Sequence, residues 1–119
     1  MEDPRNSRLL YLGTEFGVWA TLDGGEQWAR LDTGMPTVAA YDLVLHPREY
    51  DLVVGTHGRS IWILDDTTAL QQMGPEISNQ EAWLFRPRRA TDWVDIDLGR
   101  KQPYFLFRGE NPPDGALLH

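Results

Sequence analysis

The sequence contains no cysteine, and Lys101 is its only lysine. The absence of cysteine excludes disulfide bonds and thiolate metal sites. Eighteen acidic residues against eleven basic ones give a net charge of −7, and no basic stripe is present, so we expect no nucleic-acid partner. No apolar run approaches the roughly 18 residues of a transmembrane helix, and residues 1–4 are too polar and acidic for a signal peptide. We therefore expect no membrane partner, and a cytoplasmic location if the chain is complete.

What the chain does contain is the composition of a globular protein, with 41% hydrophobic and 11% aromatic residues. Its most informative stretch reads as three short strands joined by two tight turns. Residues 10–12 and 18–21 are apolar and β-prone, residues 13–17 supply a turn, and Asp23-Gly24-Gly25 is a hairpin signal before a third strand at 27–31. The stretch predicts a β-meander.

The same pattern returns 42 residues later, and the turn before the tryptophan has one extra residue in the second copy. The aligned positions are Gly13 with Gly55, Thr14 with Thr56, Trp19 with Trp62, and Asp23 with Asp66. A period of about 40 to 50 residues built from short strands is typical of β-propeller blades, since each blade buries its faces only against neighbouring blades. We predict an all-β fold of antiparallel meander repeats of the β-propeller type. The second repeat adds an inner strand at 40–46, which the first repeat lacks.

Residues 21–28 carry a known motif. Thr21, Asp23, Gly25 and Trp28 match all four defining positions of the Asp-box, Ser/Thr-x-Asp-x-Gly-x-x-Trp, so the chain resembles the BNR-repeat propellers. That group includes sialidases, xyloglucan-active glycosidases and sortilin-type receptors, and the resemblance implies that the box lies on the outer rim, away from an axial active site. The motif's spacing favours a structural role over direct ligand or metal binding. We expect Asp23 to accept backbone N–H bonds within its hairpin, Gly25 to supply positive φ, and Trp28 to pack between blades.

The end of the chain extends this resemblance. Residues 55–66 look like the closing repeat of sortilin-like bacterial proteins, although they lack the Gly and the second Trp of the box, and residues 109–118 resemble the segment that follows the propeller there. We therefore interpret residues 1–66 as blade repeats and residues 67–119 as a C-terminal extension with a short helix and β-strands. This is less than two blades, whereas closed propellers use about four to eight.

Within the extension, the sequence predicts a helix at 67–73 that ends at Gly74-Pro75. Apolar runs predict strands at 82–87, 92–98 and 104–107. The strand that completes the second blade could come from residues 81–87 or from another chain.

His57 and Arg59 are the most chemically suggestive residues, because they flank a glycine in a turn. Arg59 could bind an anionic or carboxylate ligand. The alternative is that both side chains hydrogen-bond loop carbonyls or a carboxylate of a neighbouring blade. The histidines His46, His57 and His119 have no metal-site spacing, and we expect no cofactor.

Glycosidase chemistry needs two carboxylates that face one cleft, about 5 Å apart for retention or 6.5–9.5 Å for inversion. Asp65 and Asp66 are adjacent and would point to opposite faces of a strand, while Asp95 and Asp97 share a face that we interpret as solvated. We therefore predict no catalytic residue, and a non-catalytic fragment or module of an Asp-box propeller. The alternative is part of a glycosidase- or sialidase-like propeller enzyme whose catalytic residues lie outside this chain.

The expected partners follow from the missing neighbours of each blade. We predict contact with a second copy of the chain, giving a homo-oligomer, or with the missing blades of a larger propeller, together with a protein or glycan ligand. An incomplete blade leaves apolar faces and unpaired strand edges that such neighbours would cover. In the rival arrangement, apolar runs between residues 83 and 107 fold back over the open face.

Overall fold

The computed structural model of the chain describes residues 1–31 and 34–90. Within these residues the fold is mostly strands, arranged in two small antiparallel sheets of three strands each. Sheet 1 contains β1 (Leu10–Thr14), β2 (Gly17–Thr21) and β3 (Ala29–Arg30). Sheet 2 contains β4 (Ala40–Leu45), β5 (Leu52–Thr56) and β6 (Ile61–Leu64). The strands of each sheet follow one another in chain order, so both sheets are meanders, as predicted.

Local turn chemistry explains sheet 1. A two-residue turn joins β1 to β2, where Gly17 takes φ 121° and the hydroxyl of Thr14 donates to the Gly17 carbonyl at 3.0 Å. Strand β3 is shorter than the predicted strand at 27–31, because residues 22–28 form a loop that folds back on itself. The third strand is therefore a short, exposed edge.

The strand registers reproduce the sequence repeat. Leu12 pairs with Trp19 in sheet 1, and Val54 pairs with Trp62 in sheet 2, so the two tryptophans occupy equivalent places. The extra residue lies in the turn between β5 and β6, where Ser60 takes φ 65°. The repeat seen in the sequence therefore corresponds to equivalent pairs of strands in the two sheets.

Sheet 1 has an additional segment in the place that β4 takes in sheet 2. Glu2 forms an antiparallel bridge with Leu10, and Met1 and Tyr11 exchange two backbone hydrogen bonds of 2.8 Å. No strand precedes β1 within residues 1–9, as expected, but residues 1 and 2 cover part of this edge through a single bridge. The polar composition of residues 1–7 gave no strand signal, because the pairing is made by backbone groups.

The two sheets pack face to face, and the faces that meet are not equivalent in the repeat. We call the side of each sheet that carries its aligned tryptophan, Trp19 or Trp62, the front face, and the opposite side the back face. The back face of sheet 1 packs on the front face of sheet 2. The residues at this contact are Tyr11, Val18 and Ala20 from sheet 1, and Leu52, Val54, Trp62 and Leu64 from sheet 2. Equivalent faces therefore do not meet; each sheet keeps the same orientation in the stack.

Gly13 lies on the back face of sheet 1 and allows the sheets to approach closely. A Cβ at this position would lie 2.9 Å from the carbonyl oxygen of Ala40 in β4. Cβ atoms do not approach an oxygen this closely, so only glycine fits here without a shift of the backbone.

The two faces that remain outside also carry apolar side chains. On the front of sheet 1, Leu12 is 46% exposed. On the back of sheet 2, Ile61 and Ile63 are 69% and 57% exposed, whereas their repeat equivalents Val18 and Ala20 are 2% and 6% exposed. The same sequence positions are thus buried in one repeat and open in the other.

The chain after sheet 2 forms two short helices, α1 (Thr68–Gln72) and α2 (Pro75–Ser78). Helix α1 confirms the predicted helix. Helix α2 was not predicted, because Gly74-Pro75 reads as a stop; instead Gly74 is the N-cap of α2 and Pro75 takes its first turn, where a missing N–H costs nothing.

The predicted strand at 82–87 is wrong, since no strand forms there. The backbone of Arg86 is bonded instead to one side chain, donating to Gln72 Oε1 at 3.0 Å and accepting from Gln72 Nε2 at 2.9 Å. This segment therefore does not complete the second sheet. The predicted strands at 92–98 and 104–107, the pair Asp95 and Asp97, and the segment 109–118 lie outside the described residues.

Candidate functional site

Loops gather at two opposite ends of the stacked sheets, because neighbouring strands in both sheets run antiparallel. One end, which we call the turn end, carries the β1–β2 turn, the β5–β6 turn and the connection from β3 to β4. The N–H of His57 donates to the Ala39 carbonyl at 2.9 Å and joins two of these segments. The other end, the box end, carries the loop 22–28, the β4–β5 connection and the residues that follow β6.

The Asp-box residues form a self-contained loop at the box end. One carboxylate oxygen of Asp23 accepts hydrogen bonds from the Thr21 hydroxyl at 2.6 Å and from the N–H groups of Glu26 and Gln27 at 2.9 and 3.0 Å. Gly25 takes φ 106°. The Thr21 hydroxyl, followed by the Gln27 N–H, holds the pKa of Asp23 below its ordinary value. The carboxylate thus acts as an acceptor for donors of its own loop.

Trp28 does not pack between the two sheets of this chain, and its packing against a further blade stays a prediction. Its side chain is 37% exposed, and its ring N–H donates to the Gly25 carbonyl at 3.0 Å. The ring covers its own loop, since a Cβ on Gly25 would lie 3.9 Å from the ring and from the Leu10 side chain. Trp28 directly precedes the short edge strand β3 and is not part of the core between the sheets.

His57 and Arg59 lie together in the β5–β6 turn, and both are exposed. The His57 ring is 5.0 Å from the ring of Tyr41, at an angle of 42°. The backbone carbonyl of Arg59 accepts a hydrogen bond of 2.8 Å from the ring N–H of Trp62. The Arg59 guanidinium forms no ion pair with the described residues, where every ion pair involves Arg88. The turn is thus fixed by its backbone while both side chains face outward.

Two exposed aromatic residues at the turn end were not singled out from the sequence. Tyr41, at the start of β4, is 72% exposed, and Phe16, in the equivalent turn of sheet 1, is 64% exposed. The signal that could have found Phe16 is the repeat itself, because the turn that holds Phe16 aligns with the turn that holds His57. We call Phe16, Tyr41, His57 and Arg59 the turn-end surface.

Asp66 is the repeat equivalent of Asp23, but its carboxylate binds the start of α1 and not a hairpin loop. Its Oδ1 accepts from the N–H and the hydroxyl of Thr68, at the start of α1, and its Oδ2 lies 3.7 Å from Arg88 Nε. Arg88 also pairs with Asp51 at 2.8 Å. Burial, and then the charge of Asp51, raise the pKa of Asp65. Asp51 and Asp66 are thus engaged by a structural arginine, which argues against their use as a catalytic carboxylate pair.

His46 has a structural contact in the β4–β5 connection. His46 accepts from the Glu49 N–H at 3.0 Å through Nδ1 and so stabilises the β4–β5 connection. Residues 1–31 and 34–90 contain no group of three or more histidine, aspartate or glutamate side chains placed to hold a metal ion. No helix in the same ranges is long and apolar enough to cross a membrane.

Comparison of the chain with protein-family models, with curated proteins and with solved structures finds no match.

Proposed function

We propose that the chain is a non-catalytic repeat module of an Asp-box β-propeller, whose sheets stack against neighbouring repeats and whose turn-end surface contacts a protein or a glycan. The neighbouring repeats are further blades of a larger propeller or second copies of this chain. The observation that carries the proposal is the packing of one back face on one front face.

Two independent three-stranded sheets can bury apolar surface by placing equivalent faces together, as in a symmetric sandwich, and leaving polar faces outside. The present arrangement is different, since Val18 of sheet 1 is buried against sheet 2 while its equivalent, Ile61, points away from the core. An open array of repeats that all keep one orientation leaves one front face and one back face without a neighbour. Blades of a propeller and units of a solenoid would pack in this way, so the observed packing supports the proposal.

The chemistry of the outer faces supports the same proposal. The back of sheet 2 carries Val44, Val53 and Ile63 side by side across three paired strands. On a solvated sheet face, these positions would carry polar residues. Ile61 and Ile63 on this face correspond to Val18 and Ala20 on the buried back of sheet 1, which supports a further repeat whose front face covers them. Asp42 is the charged residue on the same face.

The turn-end surface supports a binding role because it combines aromatic rings with a cation. Exposed aromatic rings such as Phe16 and Tyr41 offer flat apolar area that stacks on sugars or on protein side chains. Arg59 adds a donor group for carboxylates, and His57 is held against Tyr41.

The stacking part of the proposal is tested by light scattering and sedimentation over a range of protein concentration. We expect the wild-type chain to associate as concentration rises, and Ile63→Lys to abolish association, because a lysine on the back face cannot be buried without a partner charge. Leu84→Lys is the matched control, since Leu84 is exposed outside both sheets and receives the same charge. A monodisperse 13.6 kDa wild-type species, or equal effects of the two lysines, contradicts stacking between copies.

The binding part is tested on a library of glycans with the double variant Tyr41→Ala/His57→Ala. We expect this variant to lose ligands that the wild-type chain retains. Trp83→Ala removes an exposed aromatic ring elsewhere and is expected to retain them. Retention by both variants, or cleavage of any glycan by the wild-type chain, argues against a binding module of this kind.

A further inference from the structure

A cavity lies at the box end of the two sheets. Its volume is ≈ 1120 Å³, slightly above the range of about 300–1,000 Å³ that is usual for small-molecule sites. It lies between the β4–β5 connection, helix α1 and residues 86–90. The residues that line it are Arg5, Arg48, Glu49, Tyr50, Thr68, Gln71, Gln72, Arg86, Pro87, Arg88, Arg89 and Ala90.

The charge of the lining is the opposite of the charge of the protein. The chain as a whole carries a net charge of −7. The described residues contain eight arginines and no lysine; five arginines line this cavity, and the other three are Arg8, Arg30 and Arg59. Glu49 is the only acidic residue in the lining. Positive charge is therefore concentrated in one concave place.

The five arginines do not all have the same role. Arg88 is part of the fold, because it binds Asp51 at 2.8 Å and lies 3.8 Å from Glu49. Arg5 lies over the ring of Tyr50, with 4.0 Å between its guanidinium carbon and the ring centre, and this contact fixes its direction.

Arg48, Arg86 and Arg89 have exposed side chains and form no ion pair with the described residues. What holds Arg86 in place is its backbone, through the two hydrogen bonds to Gln72. The wall formed by residues 86–90 is thus built without help from the guanidinium groups of Arg86 and Arg89. Like charges held near one another repel, so the arginine side chains raise the free energy of the protein when the cavity is empty. A bound anion would relieve this repulsion.

We propose that this cavity binds a small ligand that carries two or more phosphate or sulfate groups. Guanidinium groups bind such oxyanions through paired N–H donors, and Arg5, Arg48, Arg86 and Arg89 supply four of them around one space. The size of the cavity favours a multiply charged ligand over a single inorganic ion. The site lies at the opposite end of the sheets from the turn-end surface, so it is distinct from the proposed protein or glycan contact.

The test is titration calorimetry on the full chain at physiological ionic strength, with inorganic tripolyphosphate and a multiply sulfated disaccharide as probes. We expect Arg86→Gln/Arg89→Gln to weaken binding by at least about tenfold for each guanidinium lost, as for a charge-assisted hydrogen bond. Arg88 is left intact, because its loss would disturb the fold. The matched control is Arg8→Gln/Arg30→Gln, which removes the same charge outside the cavity and is expected to change affinity by less than about twofold, through screened long-range attraction alone.

The relative affinity of the two probes tells which oxyanion the site prefers. Equal weakening by the two double variants would mean that the probes respond to net charge and not to the cavity, and would overturn the proposal. Absence of binding heat with both probes, confirmed by unchanged thermal stability in their presence, would overturn it as well.

Discussion

The stacking arrangement predicts that equivalent residues of the two repeats differ sharply in their contribution to stability. Val18 and Ile61 occupy the same place in the repeat, yet Val18 is 2% exposed and Ile61 is 69% exposed. Val18→Ala removes two carbons from the core, which costs about 1.6 kcal/mol in transfer free energy at about 0.8 kcal/mol for each. The cavity left behind raises the expected loss in free energy of unfolding to about 2–3 kcal/mol.

Ile61→Ala removes three carbons, one more than Val18→Ala, but from an open face. We expect a loss below about 0.5 kcal/mol in dilute protein, the usual range for surface substitutions. The assay is urea unfolding followed by tryptophan fluorescence, with thermal melts as a second measure, in which about 1 kcal/mol corresponds to about 4–8 °C. If Ile61→Ala costs as much as Val18→Ala in dilute solution, the assignment of buried and open faces is wrong.

The cost of Ile61→Ala in free energy of unfolding should also depend on protein concentration. If copies stack, the back face of sheet 2 becomes buried, so Ile61→Ala should cost more as the concentration rises. The cost of Val18→Ala should not depend on concentration through this route, because its contact lies within one chain.

Three further predictions concern the box end. Asp23→Asn should lower the melting temperature at neutral pH. The folded pKa of Asp23 is depressed, so the stability that its carboxylate contributes is present above the unfolded pKa and is lost as pH falls through the folded pKa. Thermal melts of the two proteins should therefore converge in acid. Trp28→Ala should cost about 1–2 kcal/mol, less than the ~3–5 kcal/mol of a buried tryptophan, since it removes one hydrogen bond and a half-open ring; a larger loss in urea unfolding would place Trp28 in the core. Arg88→Ala should cost about 2–4 kcal/mol, because Asp66 is left buried beside α1; unchanged stability would show that the pairing with Asp51 and Asp66 is not structural.

The strands and turns could be predicted because their signals are local. The apolar pairs on either side of Gly13-Thr14 and Gly55-Thr56 mark strands that turn back within a few residues, and the offset of 42 places the second meander. The helix at α1 follows from a stretch of helix formers before Gly74. In each of these cases, the residues that decide the structure lie next to it in the chain.

The failures depend on contacts between distant parts of the chain. Residues 82–87 have the composition of a strand, but β propensity depends on an available partner edge, and Arg86 is bonded to Gln72 instead. The pairing of Glu2 with Leu10 is a backbone contact without a side-chain pattern. The arginine-lined cavity unites residues near positions 5, 48 and 88, and no period in the sequence connects them.

The packing of back face on front face also gives any stack of such repeats a direction, as in a filament with two unlike ends. One end exposes the front of sheet 1 and the other exposes the back of sheet 2, so growth at the two ends uses different surfaces. A chain with Ile63→Lys can still join a stack through the intact front face of its sheet 1. No further chain can then bind to the altered back face of its sheet 2. Small amounts of this variant should therefore stop the growth of wild-type stacks at one end only, whereas a symmetric interface would be blocked at both.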